Sequence, residues 1–118
     1  MKYGIANNYG KISAEEAKNI FSNAYRRGIK YLDTAIAYGE SEYVLGKIGV
    51  NNWNVTTKLP PIPIDCPDIE YWVNSIFQNS LNLLKLKKVN TLLLHNPNDL
   101  LGENSQVIYK IIQSLKER

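Results

Sequence analysis

Apolar residues recur at Ala14, Ala17, Ile20, Phe21 and Ala24, the spacing of a helix with one apolar face. Ser13 with Glu16 three residues on predicts a capping box at its start, and Gly28 predicts its end. A short extended stretch at Lys2 to Ala6 is expected before it. Ile29 to Asp33 then reads as a strand, Ser41 to Ile48 as a short helix closed by Gly49, and Trp53 to Lys58 as a second strand. The segment LPPIPIDCP carries four prolines in nine residues, so it is expected to be a long irregular loop. Asp68 to Leu86 predicts a helix with Ile69, Trp72, Val73, Ile76 and Phe77 on one face. Val89 to Leu94 predicts a third strand, and a final helix carries Val107, Ile108, Ile111, Ile112 and Leu115 as its stripe.

Helices therefore alternate with strands that are apolar through most of their length. That order predicts a parallel α/β sheet covered by helices, either doubly wound or a (β/α)8 barrel. A chain of 118 residues fits one domain, and 44% hydrophobic residues suffice for an ordinary core. The 14 basic and 11 acidic side chains are spread along the chain, with short clusters such as KLKK at 85 to 88. Such a cluster at a helix end complements the helix dipole, so a nucleic-acid partner is not expected. The longest apolar runs are far shorter than the roughly 20 residues a membrane span needs, so no membrane partner is expected either. The single cysteine, Cys66, has no internal partner, and no secretory signal pattern opens the chain; both predict a reducing, cytoplasmic setting.

Each of the three strands ends in a reactive side chain: Asp33 after KYL, Lys58 after NVTT and His95 after TLLL, with Tyr38 in the loop that follows the first. In a parallel sheet all carboxyl ends share one rim, which is where both candidate architectures bind ligands. A phenol titrates near about 10, too high for easy proton donation at neutral pH, and a neighbouring ammonium favours the phenolate. Lys58 is the candidate for that charge, Asp33 for keeping the lysine charged, and His95 for orienting a carbonyl oxygen against the phenol. The set suits reduction of a carbonyl. Singly, each residue has an ordinary alternative: a turn cap for Asp33, a solvated strand end for Lys58, a rim aromatic for Tyr38 and a loop histidine for His95.

The stretch DTAIAYGESEYVLGK, together with TTK and LLLHNP, resembles the signature of the aldo-keto reductases. The resemblance implies a (β/α)8 barrel using NADPH or NADH without a Rossmann glycine fingerprint, and no G-x-G-x-x-G occurs here. It implies Tyr38 as proton donor, Lys58 and Asp33 as its tuning partners with Asp33 also touching cofactor, and His95, with Asn96 beside it, contacting a small carbonyl substrate. No metal site is implied. Such a barrel takes about 250 residues, so the chain is expected to hold roughly strands two to four with their helices. Its open sheet edges are expected to favour self-association. Most of the cofactor grip would then lie outside it, and the chain alone is expected to be inactive. A non-catalytic binding or regulatory barrel subunit and a truncated remnant without function are the alternatives. Ser41 and Glu42 are read as structural residues at the positive end of their helix, Trp53 and Trp72 as packing residues, and Cys66 as a loop thiol without a partner base.

Overall fold

A computed structural model of the protein describes residues 13–116; the extended stretch expected at Lys2 to Ala6 lies outside them. The elements are α1 (Ala14–Arg26), β1 (Tyr31–Asp33), α2 (Ser41–Ile48), β2 (Asn54–Leu59), α3 (Ile69–Leu84), β3 (Thr91–Leu94), a 3-10 turn (Pro97–Leu100) and α4 (Ser105–Lys116). Each strand is three to six residues long. The three form a parallel sheet in the order β1-β2-β3. Asp33 pairs with Thr56, Lys58 with Leu93, and Leu59 with Leu94.

Local chemistry sets the ends of these elements. The capping box at α1 is present: Ser13 Oγ accepts from the Glu16 amide at 3.1 Å, and Glu16 Oε2 accepts from the Ser13 amide at 3.3 Å. Asp68 caps α3 by accepting from the Tyr71 amide at 3.0 Å, so the helix opens one residue later than the apolar spacing predicts. Lys85 adopts a left-handed conformation, φ 56°, and closes α3 before Leu86. At the start of β3, Asn90 Oδ1 accepts from the Val55 amide at 3.2 Å and Asn90 Nδ2 donates to Asn54 Oδ1 at 3.0 Å. This side chain holds the register of β3 on β2 from below.

Alternation along the strands separates two faces. On one, Leu32, Val55, Leu59, Leu92 and Leu94 pack against the helices. The core has two centres: Leu45, Val50, Val55 and Leu84 under α2, and Leu59, Val73 and Ile111 between α3, α4 and the sheet. The opposite face carries Tyr31, Asp33, Thr91 and Leu93, all exposed. Helices thus cover a single face, which is the arrangement of an open segment of a (β/α)8 barrel and not of a doubly wound sheet, whose two faces are both covered.

The helical stripes are narrower than their spacing suggests. On α1, Ala17 is buried and Phe21 and Ala24 are half-buried, whereas Ala14 and Ile20 at the edges of the stripe are exposed. On α4, Ile108 and Ile111 are buried while Val107, about 100° round the helix from Ile108, is exposed. Trp53 packs beside Phe21 and Tyr25, with ring centroids 5.4 and 5.6 Å away, and Trp72 packs against the second core centre. Cys66 is a free, half-buried thiol in the proline-rich loop. Helices α2 and α3 approach very closely: a Cβ on Gly46 would lie 1.9 Å from the Leu83 carbonyl oxygen, so only glycine fits. Among the described residues no helix is long and apolar enough to cross a membrane.

Candidate active site

Three parallel strands deliver Asp33, Lys58 and His95 to one rim, and the loop after β1 returns Tyr38 to the same place. That loop is short and tied down. The Thr34 amide donates to Thr56 O at 2.8 Å and the Ile36 amide to Lys58 O at 3.2 Å, extending the ladder between β1 and β2 beyond the strand itself. Two turns follow, from the Tyr38 amide to Ala35 O at 3.1 Å and from the Ser41 amide to Tyr38 O at 3.1 Å, with Gly39 between them at φ 57°. Tyr38 therefore sits at the bend, directly before α2.

Lys58 is the centre of the cluster. Its Nζ donates to Asp33 Oδ2 at 2.7 Å, to the Thr34 carbonyl oxygen at 3.0 Å and to the Tyr38 hydroxyl at 3.4 Å. The ammonium also stands 5.0 Å from the centroid of the Tyr38 ring. The His95 ring meets the Tyr38 ring edge-on, with centroids 5.8 Å apart and planes at 87°. The His95 amide donates to Leu59 O at 2.8 Å, which continues the β2–β3 ladder one residue past β3 and fixes where the imidazole starts. All four residues of the expected set are thus brought together.

Burial differs sharply across the set. The Lys58 side chain is 16% exposed, that of Asp33 63%. Burial works to lower the pKa of the Lys58 ammonium, but hydrogen bonds and charge interactions with Asp33 and Tyr38 outweigh it, and the net shift is upward from the ordinary 10.5. At neutral pH Lys58 is a fixed positive charge beside a phenol and cannot serve as a base.

Asn96 takes a different place from its neighbour. Its Oδ1 accepts from the Asn98 amide at 3.1 Å and caps the 3-10 turn, so this oxygen shapes the rim. The turn brings Asp99 back over the proline-rich loop, where its Oδ2 accepts from the Ile62 amide at 3.1 Å and ties the loop after β2 to the loop after β3. Among the described residues no group of three His, Cys, Asp or Glu side chains is placed to hold a metal ion.

Below the rim lies a second polar cluster. Thr34 Oγ1 and Ser41 Oγ share a hydrogen bond at 2.8 Å. Glu42 is 3% exposed, and its Oε2 accepts from Thr57 Oγ1 at 2.8 Å and from Ser80 Oγ. Glu42 thus joins α2, β2 and α3 in the interior. Reading it from its place in the first helical turn missed this destination. The available signal was its helical spacing: Glu42 shares a face with Leu45 and Gly46, both buried.

Comparison with known proteins places the family and the fold. A model of the Aldo/keto reductase family matches residues 1–117. Two solved structures from Pseudomonas aeruginosa, both described as aldo-keto reductases, are similar to the chain. One is 26% identical with a TM-score of 0.75, covering 91% of this chain and 45% of that one. The other is 27% identical with a TM-score of 0.77, covering 97% and 46%. The chain spans under half the length of these structures. No curated protein matches it. With a family match running through almost every residue, this chain belongs to the aldo/keto reductase family.

Proposed function

We propose that these residues form the acid half of an NAD(P)H-dependent carbonyl reductase site. The observation that carries the reading is the Lys58 ammonium held between the Asp33 carboxylate and the Tyr38 hydroxyl, with the His95 ring set against the phenol. The donor set fits a carbonyl and a nicotinamide: a phenol to give a proton, a fixed charge to receive the phenolate, and an exposed carboxylate and imidazole beside them. When bound, NADPH or NADH supplies the hydride that reaches the carbonyl carbon. Tyr38 gives its hydroxyl proton to the carbonyl oxygen, and Lys58 stabilises the phenolate left behind. Asp33 holds the ammonium in place and is the rim residue that would contact cofactor. His95 orients the carbonyl oxygen by a hydrogen bond, with the Asn96 amide nitrogen next to it. A cytoplasmic setting, a small carbonyl substrate and association through the β1 and β3 edges belong to the same proposal.

The span of the chain favours one further reading. Segments outside the matched portion would carry most of the cofactor grip, so on this reading the 118 residues alone do not turn over, and serve as a binding module or not at all. The test is carbonyl reduction, followed by loss of reduced-nicotinamide absorbance, by the chain and by a longer protein that carries it. Tyr38→Phe is expected to lower turnover by roughly 10²–10⁴-fold, the usual contribution of a positioned general acid. Full activity in Tyr38→Phe would remove Tyr38 from the chemistry. Saturable NADPH binding with no turnover in either protein would favour the binding module.

A further inference from the structure

The Tyr38–Lys58 distance is set by two separate pieces of chain. Lys58 rides on β2; Tyr38 is attached directly to α2, through Gly39 and Glu40. On the side of the loop leading from β1, backbone hydrogen bonds to β2 stop at Ile36, two residues short of the phenol. On the other side, α2 is joined to β2 by the hydrogen bond from Thr57 to Glu42. Thr57 and Lys58 are consecutive, and their side chains leave the strand on opposite faces: Thr57 is fully buried among the helices and Lys58 stands at the rim.

We infer that Glu42 is a positioning residue for the proton donor: by gripping Thr57 it references the helix that carries Tyr38 to the strand residue next to Lys58. The bond from Ser80 to the same carboxylate fixes α2 to α3, and that between Thr34 and Ser41 ties the start of α2 to a loop residue whose amide is bonded to Thr56; the Glu42–Thr57 bond is the direct side-chain link from α2 to the residue beside Lys58. A buried carboxylate held by two hydroxyls has a defined place, because leaving either donor costs its desolvation. The significance of the inference for catalysis rests on the reading of Tyr38 as proton donor, but the geometry does not.

The test is the nuclear Overhauser cross-peak between the Tyr38 ring protons and the Lys58 ε-methylene, read in the 118-residue chain. The two resonances are assigned by their loss in Tyr38→Phe and Lys58→Met. Thr57→Val keeps the shape of the side chain and removes the donor; the cross-peak is expected to vanish. Thr57→Ser restores the hydroxyl and is expected to restore the peak. Ser80→Ala removes the other donor to the same carboxylate and is expected to lower the melting temperature while keeping the peak. A cross-peak of full intensity in folded Thr57→Val overturns the inference, because Glu42 then contributes only to stability; its equal loss in Ser80→Ala overturns it too, because the phenol then responds to any loosening of the buried cluster and not to the link with Thr57. Should Thr57→Val not fold by circular dichroism, Glu42→Asp, one methylene too short to keep its reach, is read in the same way. If the chain shows this pattern while neither it nor a longer protein that carries it reduces a carbonyl, the reductase reading is lost and the positioning is kept. Carbonyl reduction by either, with the peak retained in Thr57→Val, has the reverse outcome.

Discussion

Thr57 and Lys58 are adjacent on β2, yet they belong to opposite kinds of polar cluster. Lys58 gathers Asp33 and Tyr38 at an open rim, where its contact to the phenol is long, 3.4 Å, and its carboxylate partner is largely exposed. Thr57 joins Glu42 and Ser80 where all three side chains are almost completely buried. Water can replace a partner in the first cluster but not in the second, so a hydrogen bond carries a different energy in each. The buried cluster contributes stability and geometry; the rim cluster contributes charge at a place that a ligand can reach.

The contrast can be broken, and the strongest lever is the helix contact beneath it. Gly46→Ala pushes a methyl into the Leu83 carbonyl and is expected to cost at least the upper end of the about 1–3 kcal/mol typical of overpacking, read by chemical denaturation. A cost under about 1 kcal/mol would mean that α2 and α3 can separate freely. Glu42→Ala leaves two buried hydroxyls without their acceptor and is expected to cost about 2 kcal/mol, with each hydroxyl carrying part of the loss. Lys58→Met at the rim is expected to cost less than about 1 kcal/mol, because its partner Asp33 is solvated and screened. If Lys58→Met proved as costly as Glu42→Ala, the division between the clusters would fail.

The smallest effect is the pH dependence. The folded-state pKa of Lys58 is raised above its unfolded value, so its stabilising share is fully present below about 10.5 and is lost as pH rises through the folded value. The difference in stability between the parent chain and Lys58→Met is therefore expected to be flat through neutral pH and to shrink only in strongly alkaline solution. A difference that changed between pH 5 and 8 would point to some other group.

Much of this was legible in the residues. Asp33, Lys58 and His95 each close an apolar run, and parallel order alone brings such ends together. The cap at Ser13 could be read because its partner is three residues away, within one turn, whereas the apolar spacing places Asp68 inside α3 and not at its cap. What could not be read is where long-range partners meet. Nothing local connects Glu42 to Ser80, 38 residues on, or Asp99 to the Ile62 amide, 37 residues back. The exposure of Ile20 and Val107 was hidden for a related reason: spacing reveals that a helix has an apolar face, and the neighbouring elements decide how wide a strip they cover.

The strand register arranges the rim residues as a ramp. Asp33 is level with Thr56, Lys58 stands two residues higher, and His95 stands two residues above Leu93, the partner of Lys58. Each step is about 6.6 Å along the strands, and the even count keeps all three side chains on the same face. Reaching the top of the ramp is thus a matter of parity. One residue inserted into β3 would turn the imidazole toward the helices, while two would lift it a full step on the correct side.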